Sequence, residues 1–395
     1  MRRVLGLVGC LAAVLVAVCW QTEIRAANSE HAKGVTANSH QPDTHAANSW
    51  DQKAAAAYLD QRAGWWMDWP RAARDHETFC VSCHTAVPYA MSRPALRDAL
   101  AEQAPSPNER RLLENVTKRV RLWKEVAPFY SDADRGVYKS VESRGTESVL
   151  NALILSSNDA SKGSRGGHLS VDTLSAFENM WAEQQTTGVD KGAWRWLRFK
   201  NEPWEADDSG YYGAALAAVA VGIAPENYRA KPEIQNNLKM LREYLNRECA
   251  AQTSINRAVL LWASAKVPEL LEPERQKALI NELLSKQQAD GGWSLSSLVG
   301  PWTRHDGTAQ EAKSDGYATG LITFALQEAG TSKENVQLKR GLAWLLASQD
   351  KARGSWLAYS LNNNEEHHIS PETALFMNDA ATAYAVLALN ASENR

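Results

Sequence analysis

The sequence predicts an all-α protein whose body, residues 49–392, is a single (α/α)6 toroid of six helical hairpins. Three observations predict this fold. A turn of Gln, Gly and Trp recurs along the chain, a small-residue apolar helix follows each turn, and an amphipathic helix precedes it. One hairpin cannot bury its apolar face alone, so neighbouring hairpins must stack. Six stacked hairpins can close into a double ring of outer and inner helices.

The amphipathic segments are the expected outer helices, and the nearly all-apolar segments are the expected buried inner helices. We expect outer helices near residues 50–62, 109–126, 170–186, 232–247, 274–288 and 334–349. We expect inner helices to start near residues 84, 145, 208, 254, 315 and 379. The inner helices then run parallel, so their N-termini converge on one mouth and face a shared cavity.

The composition is that of a soluble globular protein. The chain has 395 residues, of which 44% are apolar and 23% are charged, and its net charge is −3. No basic excess exists that would attract nucleic acid or an anionic membrane surface. Nucleic acid is therefore not an expected partner.

The N-terminal segment has the pattern of an export signal. Arg2 and Arg3 precede an apolar run over residues 4–20, so residues 1–26 are predicted to be a signal peptide or an N-terminal anchor. Residues 27–48 are polar and lack an apolar period, which predicts a disordered linker. We expect an exported, periplasmic protein that meets the membrane only through this first segment, if it is not removed.

The recurring turns resemble a known family repeat. Clear copies begin at Gln288 and Gln349, each ending in a tryptophan, and another begins at Gln185. They resemble the "QW" repeats of squalene–hopene cyclases and the related prenyltransferase repeat, over most of residues 50–390. The resemblance implies an α/α barrel in which the Gln and Trp of each repeat tie helix ends together.

One acidic segment resembles a catalytic motif of this family. Class II terpene cyclases use an Asp-x-Asp-Asp acid, and residues 205–208 read Glu-Ala-Asp-Asp, departing at the first position. By resemblance, Asp207 or Asp208 would be the acid. The favoured interpretation is helix capping, because Asp208, Asp315 and Asp379 recur at the expected starts of inner helices.

A Cys-x-x-Cys-His motif marks the first inner helix. Cys80, Cys83 and His84 have the spacing of a covalent, c-type haem site. Two thiols on one turn can add to the two vinyl groups of a haem, and the adjacent His can reach the iron. A zinc site would need four ligands, a redox dithiol would need a βαβ context, and a disulfide would close a trivial loop. One covalently attached haem c is the expected cofactor.

The sixth iron ligand has several candidates. Repeat six closes against repeat one, so Met377, at the expected start of the last inner helix, is the first candidate. A five-coordinate iron with an open site fits the sequence equally well. The other candidates are Met67, His76, Met91, His367 and His368.

The sequence leaves three functions open. The first is a haem protein that exchanges electrons with a redox partner protein, or that oxidises an apolar substrate held in the cavity. The second is a haem-independent enzyme of the terpene-cyclase type, with Asp207 or Asp208 as its acid. The third is a module that binds a lipid or glycan without chemistry.

Overall fold

The computed structural model of the protein describes residues 49–161, 167–363 and 370–393. These residues form thirteen α-helices and one two-stranded antiparallel sheet, in which Ala73 pairs with Phe79 and Arg74 with Thr78. The prediction of an all-α protein is confirmed. The predicted signal segment 1–26 and the predicted linker 27–48 lie outside the described residues. No described helix is long and apolar enough to cross a membrane.

The helices alternate along the chain between two sets, which we call outer and inner after the predicted arrangement, and they lie near the positions that the sequence pattern predicts. The outer helices are α1 (Gln52–Asp68), α3 (Pro107–Arg121), α6 (Val171–Ala182), α8 (Gln235–Glu248), α10 (Pro273–Ser285) and α12 (Val336–Ser348). The inner helices are α2 (Ala86–Ala99), α5 (Lys139–Ser161), α7 (Ser209–Ile223), α9 (Ser254–Lys266), α11 (Gly316–Glu328) and α13 (Phe376–Glu393). The short helix α4 (Asp132–Arg135) precedes α5. Two inner helices, α5 and α13, begin earlier than the expected positions near 145 and 379.

Polar side chains cap four of the six outer helices, α1, α3, α6 and α12, and burial distinguishes the inner helices. Asp51 accepts a hydrogen bond from the amide of Ala54 at 2.9 Å, and Ser106 forms a capping box with Glu109. In α7, every residue from 211 to 221 is buried. A helix that is apolar on all sides needs neighbours on all sides, so the inner helices must lie between other helices.

The contacts between inner helices form a closed series, in which the last inner helix contacts the first. Each inner helix packs against the next one in the chain, and α13 packs against α2. The outer helix α1 contacts both α2 and α13. The indole Nε1 of Trp50 also donates to Glu393 Oε1 at 3.0 Å, so the first and last described segments meet.

Glutamine side chains tie the end of one outer helix to the beginning of the next. Gln184 Nε2, just after α6, donates to the carbonyl oxygens of Gly192 at 2.9 Å and of Asn237, in α8, at 3.1 Å. Gln287 Nε2, just after α10, likewise donates to Gly291 and, at 2.7 Å, to Gln337 in α12.

The prediction that Gln288 makes this tie is wrong by one residue, since Gln287 makes it. In the earlier turn the tie is likewise made by the first of two adjacent glutamines, Gln184. Gln288 donates instead to the carbonyl of Ala312 at 2.7 Å. Gln349 is the tying residue, as predicted. Its amide exchanges hydrogen bonds with the backbone of Asp51, at 2.7 Å from the Asp51 amide and 3.0 Å to the Asp51 carbonyl, which joins α12 to α1.

The tryptophan of each of these turns forms a hydrogen bond with the outer helix that precedes the turn. The Nε1 groups of Trp194, Trp293 and Trp356 donate to carbonyls of the preceding outer helix, at 2.6, 2.8 and 2.8 Å. All three side chains are buried. A buried indole needs a partner for its N–H, and the helix end supplies one.

The recurrent aspartates do not share one role. Asp315 caps α11, accepting from the amide of Ala318 at 2.9 Å. Asp208 makes no capping hydrogen bond with α7 and instead accepts from Asn256 Nδ2 at 2.9 Å. Because α13 begins at Phe376, Asp379 lies within the helix. The capping prediction is therefore correct for Asp315 and wrong for Asp208 and Asp379.

Candidate functional site

A cavity of about 430 Å³ lies where the segments that lead into α2, α7 and α13 meet. This volume is in the range typical of small-molecule and cofactor sites. Aromatic side chains form much of its wall. They are Trp66, Trp69, Tyr130, Phe199, Trp204 and Phe376.

The Cys-x-x-Cys-His segment runs along one side of this cavity. Its start is fixed by the indole of Trp66, which donates to the carbonyl of Cys80 at 2.7 Å. Its end leads into α2, where Ser82 Oγ accepts from the amides of Thr85 at 3.2 Å and Ala86 at 3.0 Å. Cys83 and His84 line the cavity. Ser82 therefore caps the helix that follows the motif, a role that the sequence analysis did not assign.

Both cysteines are buried, free thiols. Burial raises the pKa of Cys80 to about 12 and raises the pKa of Cys83 well above its ordinary value. A redox-active Cys-x-x-Cys pair requires a thiol with a lowered pKa in an electropositive environment. These two thiols have raised pKa values instead, because burial dominates; Glu205 adds to the effect at both, and the positive charge of Arg74 opposes it only in part at Cys80.

His84 is held in its neutral form among aromatic rings. Its ring stacks on Phe376 with centroids 3.8 Å apart and meets the edge of Trp66 at 4.9 Å. Burial, with a smaller contribution from the positive charge of Arg62, lowers the pKa of His84 to about 3. Neutral imidazole is the form that binds iron.

A buried polar network lies behind His84. His84 Nδ1 is 2.8 Å from the hydroxyl of Thr85, and that hydroxyl donates to Asp379 Oδ2 at 2.6 Å. Arg62 donates to both carboxylate oxygens of Asp379, at 2.6 and 2.9 Å, and Tyr58 donates to Oδ1 at 3.0 Å. The network joins α1, the start of α2 and α13.

The structure brings Met377 to the same cavity as Cys83 and His84. Met377 is buried, with 5% of its surface exposed. Met67 and Met91 are not among the residues that line this cavity, and His76 is exposed and paired with Asp75 at 2.9 Å. His367 and His368 lie outside the described residues.

The carboxylates that line the cavity are Glu202 and Glu205, whereas Asp207 and Asp208 do not line it. Asp207 is exposed. Burial, with a smaller effect of Asp208 and Asp207, raises the pKa of Glu202 to about 8. Burial raises the pKa of Glu205 to about 7. The sequence signal for Glu205 was present, since it occupies the position at which the acidic segment departs from the cyclase motif.

Two arginines stand at the opening of the cavity. Arg71 and Arg135 line it and are exposed to solvent. The Arg135 guanidinium lies 5.6 Å from the centroid of the Tyr130 ring, which also lines the cavity. These cations give the opening a positive charge that suits carboxylates of a bound ligand.

The described residues contain no group of three or more His, Cys, Asp or Glu side chains placed to hold a metal ion. A haem iron is held mainly by its macrocycle and takes only one or two axial ligands from the protein.

No protein-family model matches the chain, and comparison with curated proteins gives no match.

Proposed function

We propose that this chain is an exported c-type haem protein that transfers electrons to a redox partner protein. The observation that carries the proposal is that Cys83, His84 and Met377 line one cavity, with Cys80 buried beside it. Cys83 and Met377 are 294 positions apart in the sequence. Only the packing of α13 against α2 brings them together. The cavity would therefore hold the proposed haem between Cys83, His84 and Met377, with Cys80 as the second attachment residue.

We also propose that the helices form an (α/α)6 toroid of the squalene-cyclase type. Two findings support this arrangement: the inner-helix contacts run from α2 through to α13 and back to α2, and Gln349 ties α12 to Asp51 at the start of α1. The Gln349 tie is equivalent to those of Gln184 and Gln287 between earlier outer helices. The last repeat thus meets the first in the way that internal repeats meet one another.

The residues of the cavity fit a haem group. Cys80 and Cys83 would form the two thioether bonds, and His84 would supply the proximal nitrogen. The aromatic wall suits the apolar macrocycle, and Arg71 and Arg135 at the opening would pair with its propionates. When bound, the haem supplies a one-electron redox couple.

The sixth ligand separates two forms of the proposal. With Met377 as ligand, both axial positions are filled, which favours electron transfer. With that position open, the haem would be free to act on an apolar substrate in the cavity. Because Met377 is buried in the cavity wall, electron transfer is the function that the geometry supports best.

The test is a pyridine haemochrome spectrum of the full chain, expressed in a host that matures c-type cytochromes. We expect a c-type spectrum that survives denaturation, is lost in the Cys80→Ala, Cys83→Ala variant and is retained in Cys249→Ala. Cys249 is also a buried free cysteine and serves as the matched control. In the ferric protein, Met377→Ala should remove the Met–iron charge-transfer band, whereas Met91→Ala should retain it. A wild-type protein without covalent haem would refute the proposal.

A second candidate function follows from the two buried carboxyl groups. Glu202 and Glu205 carry raised pKa values in an aromatic-lined cavity, which is an environment for acid–base catalysis on an apolar substrate. In a haem-free protein, loss of turnover in Glu205→Gln but not in Asp207→Asn would favour this function over lipid or glycan binding. Loss in Asp207→Asn or Asp208→Asn alone would instead support the acid that the family resemblance implies.

A further inference from the structure

We propose that Thr85 and Asp379 are positioning residues that hold His84 in the tautomer whose Nε2 is free to bind the haem iron. This inference rests on the proposed haem site and extends it to residues that the attachment motif does not include. It concerns the hydrogen-bonded series His84, Thr85 and Asp379, which runs from the motif into α13.

The direction of each hydrogen bond in this series follows from which groups carry a proton to donate. Arg62 donates to both oxygens of Asp379, at 2.6 and 2.9 Å, and Tyr58 donates to Oδ1 at 3.0 Å, so this carboxylate acts as an acceptor. The Thr85 hydroxyl has a single proton and donates it to Asp379 Oδ2 at 2.6 Å. The same hydroxyl oxygen can then only accept from His84 Nδ1, which lies 2.8 Å away.

The proton of the neutral imidazole therefore lies on Nδ1, and the lone pair lies on Nε2. Histidines that bind metals commonly donate their other ring N–H to such a partner, which fixes both the tautomer and the ring orientation. Here the stacking of Phe376 on the His84 ring, at 3.8 Å, restrains the plane of the ring as well. The ring is thus oriented by α13 before any ligand binds.

The network is rigid because it is buried and joins three parts of the fold. The side chains of Arg62 and Asp379 are 5% and 1% exposed, and Thr85 is 2% exposed. The imidazole donates to the Thr85 hydroxyl, which is polarised by its own bond to the Asp379 carboxylate, and such an acceptor raises the electron density of the imidazole. An electron-rich axial ligand stabilises the ferric state, so the network should lower the reduction potential of the haem.

The test compares Thr85→Val with two controls. Thr85→Ser keeps the hydroxyl, and Thr323→Val removes a buried hydroxyl that has no hydrogen-bond partner in the described residues. We expect Thr85→Val to keep its covalent haem and to show a higher midpoint potential than the wild type in a spectroelectrochemical titration. Thr85→Ser and Thr323→Val should keep the wild-type potential. A haem-bearing Thr85→Val protein with the wild-type potential would overturn the inference while leaving the proposed haem site intact.

A second measurement does not depend on the haem. In the haem-free full chain labelled with 15N-histidine, NMR should show that His84 of the wild type is protonated at Nδ1. Thr85→Val should shift the proton toward Nε2, which neutral histidines favour in water. A wild-type His84 protonated at Nε2 refutes the network even if no variant folds, and the absence of covalent haem in every protein refutes only the proposed function.

Discussion

At the scale of single residues, burial shifts several titratable groups in the cavity wall and next to it toward their uncharged forms. Burial lowers the pKa of His84 to about 3 and raises the pKa of Cys80 to about 12. Burial also raises the pKa of Glu205 to about 7, opposed by an Asn201 hydrogen bond and the positive charge of Lys139. A charged group in such an apolar site loses the solvation that water would supply. The part of the wall formed by these groups would suit the apolar macrocycle of the proposed haem, whereas Arg71 and Arg135 keep their charges.

The raised pKa of Glu205 predicts a pH-dependent stability of the haem-free protein. Between the ordinary pKa of 4.5 and about 7, the folded protein keeps a proton that the unfolded chain has released. Its stabilising effect is thus complete below about pH 4.5 and is lost as the pH rises to about 7, with a slope of up to about 1.4 kcal/mol per pH unit. Urea unfolding across this range should show the decline in the wild type and a smaller decline in Glu205→Gln.

The exposed Glu178 provides the control for this measurement, since Glu178→Gln removes a surface carboxylate. It should retain the wild-type profile. An identical pH profile in the wild type and Glu205→Gln would show that Glu205 is hydrated in the folded protein.

At the scale of secondary structure, the positions of the helices follow from the sequence pattern because inner helices such as α7 and α11 are apolar on nearly all sides, whereas the outer helices are amphipathic. The pattern could not decide which glutamine of each turn ties the helices together. Gln184 and Gln287 are each followed by a second glutamine, so both are consistent with the repeat. The choice depends on which side chain points toward the next outer helix, and that direction is a property of the packed structure.

The hydrogen bonds of Gln184 predict that replacing it destabilises the fold more than replacing the adjacent Gln185. Gln184→Ala should lower the free energy of unfolding by about 1–3 kcal/mol, because the buried carbonyl of Gly192 and the half-buried carbonyl of Asn237 lose their donor. Gln185→Ala, one residue later, should change it by less than about 0.5 kcal/mol, as expected of a residue outside such a network. Denaturant unfolding of both variants measures the difference. Equal effects of the two substitutions would contradict the assignment of Gln184.

At the scale of the whole molecule, the beginning and end of the described chain are joined by specific contacts. Trp50 and Gln52 both donate to the carboxylate of Glu393, at 3.0 and 3.2 Å. Gln349 also joins α12 to Asp51. In a closed ring of repeats no repeat is structurally first, and the position of the chain ends has little influence on the fold.

The proposed closed ring predicts that a circular permutant will fold. A short linker would join residues 49 and 393, and new termini would be placed between the exposed Lys333 and Glu334 in the α11–α12 loop. We expect a wild-type circular dichroism spectrum and a single cooperative unfolding transition. A control permutant opened between Leu321 and Ile322, both buried in α11, should not fold. Failure of the loop permutant, with success of the control, would contradict a closed ring.

The sequence by itself determined the helical class, the approximate positions of twelve of the thirteen described helices, and the Cys-x-x-Cys-His motif, because these depend on local periodicity and spacing. Tertiary structure alone decided which aspartates cap helices, which glutamines tie them, and that Glu205 rather than Asp207 or Asp208 lines the cavity. It also decided the environment of His84, since its partners Asp379, Arg62 and Phe376 come from α13 and α1. Such partners are far apart in the chain and become neighbours only when the helices pack, so no local pattern specifies them.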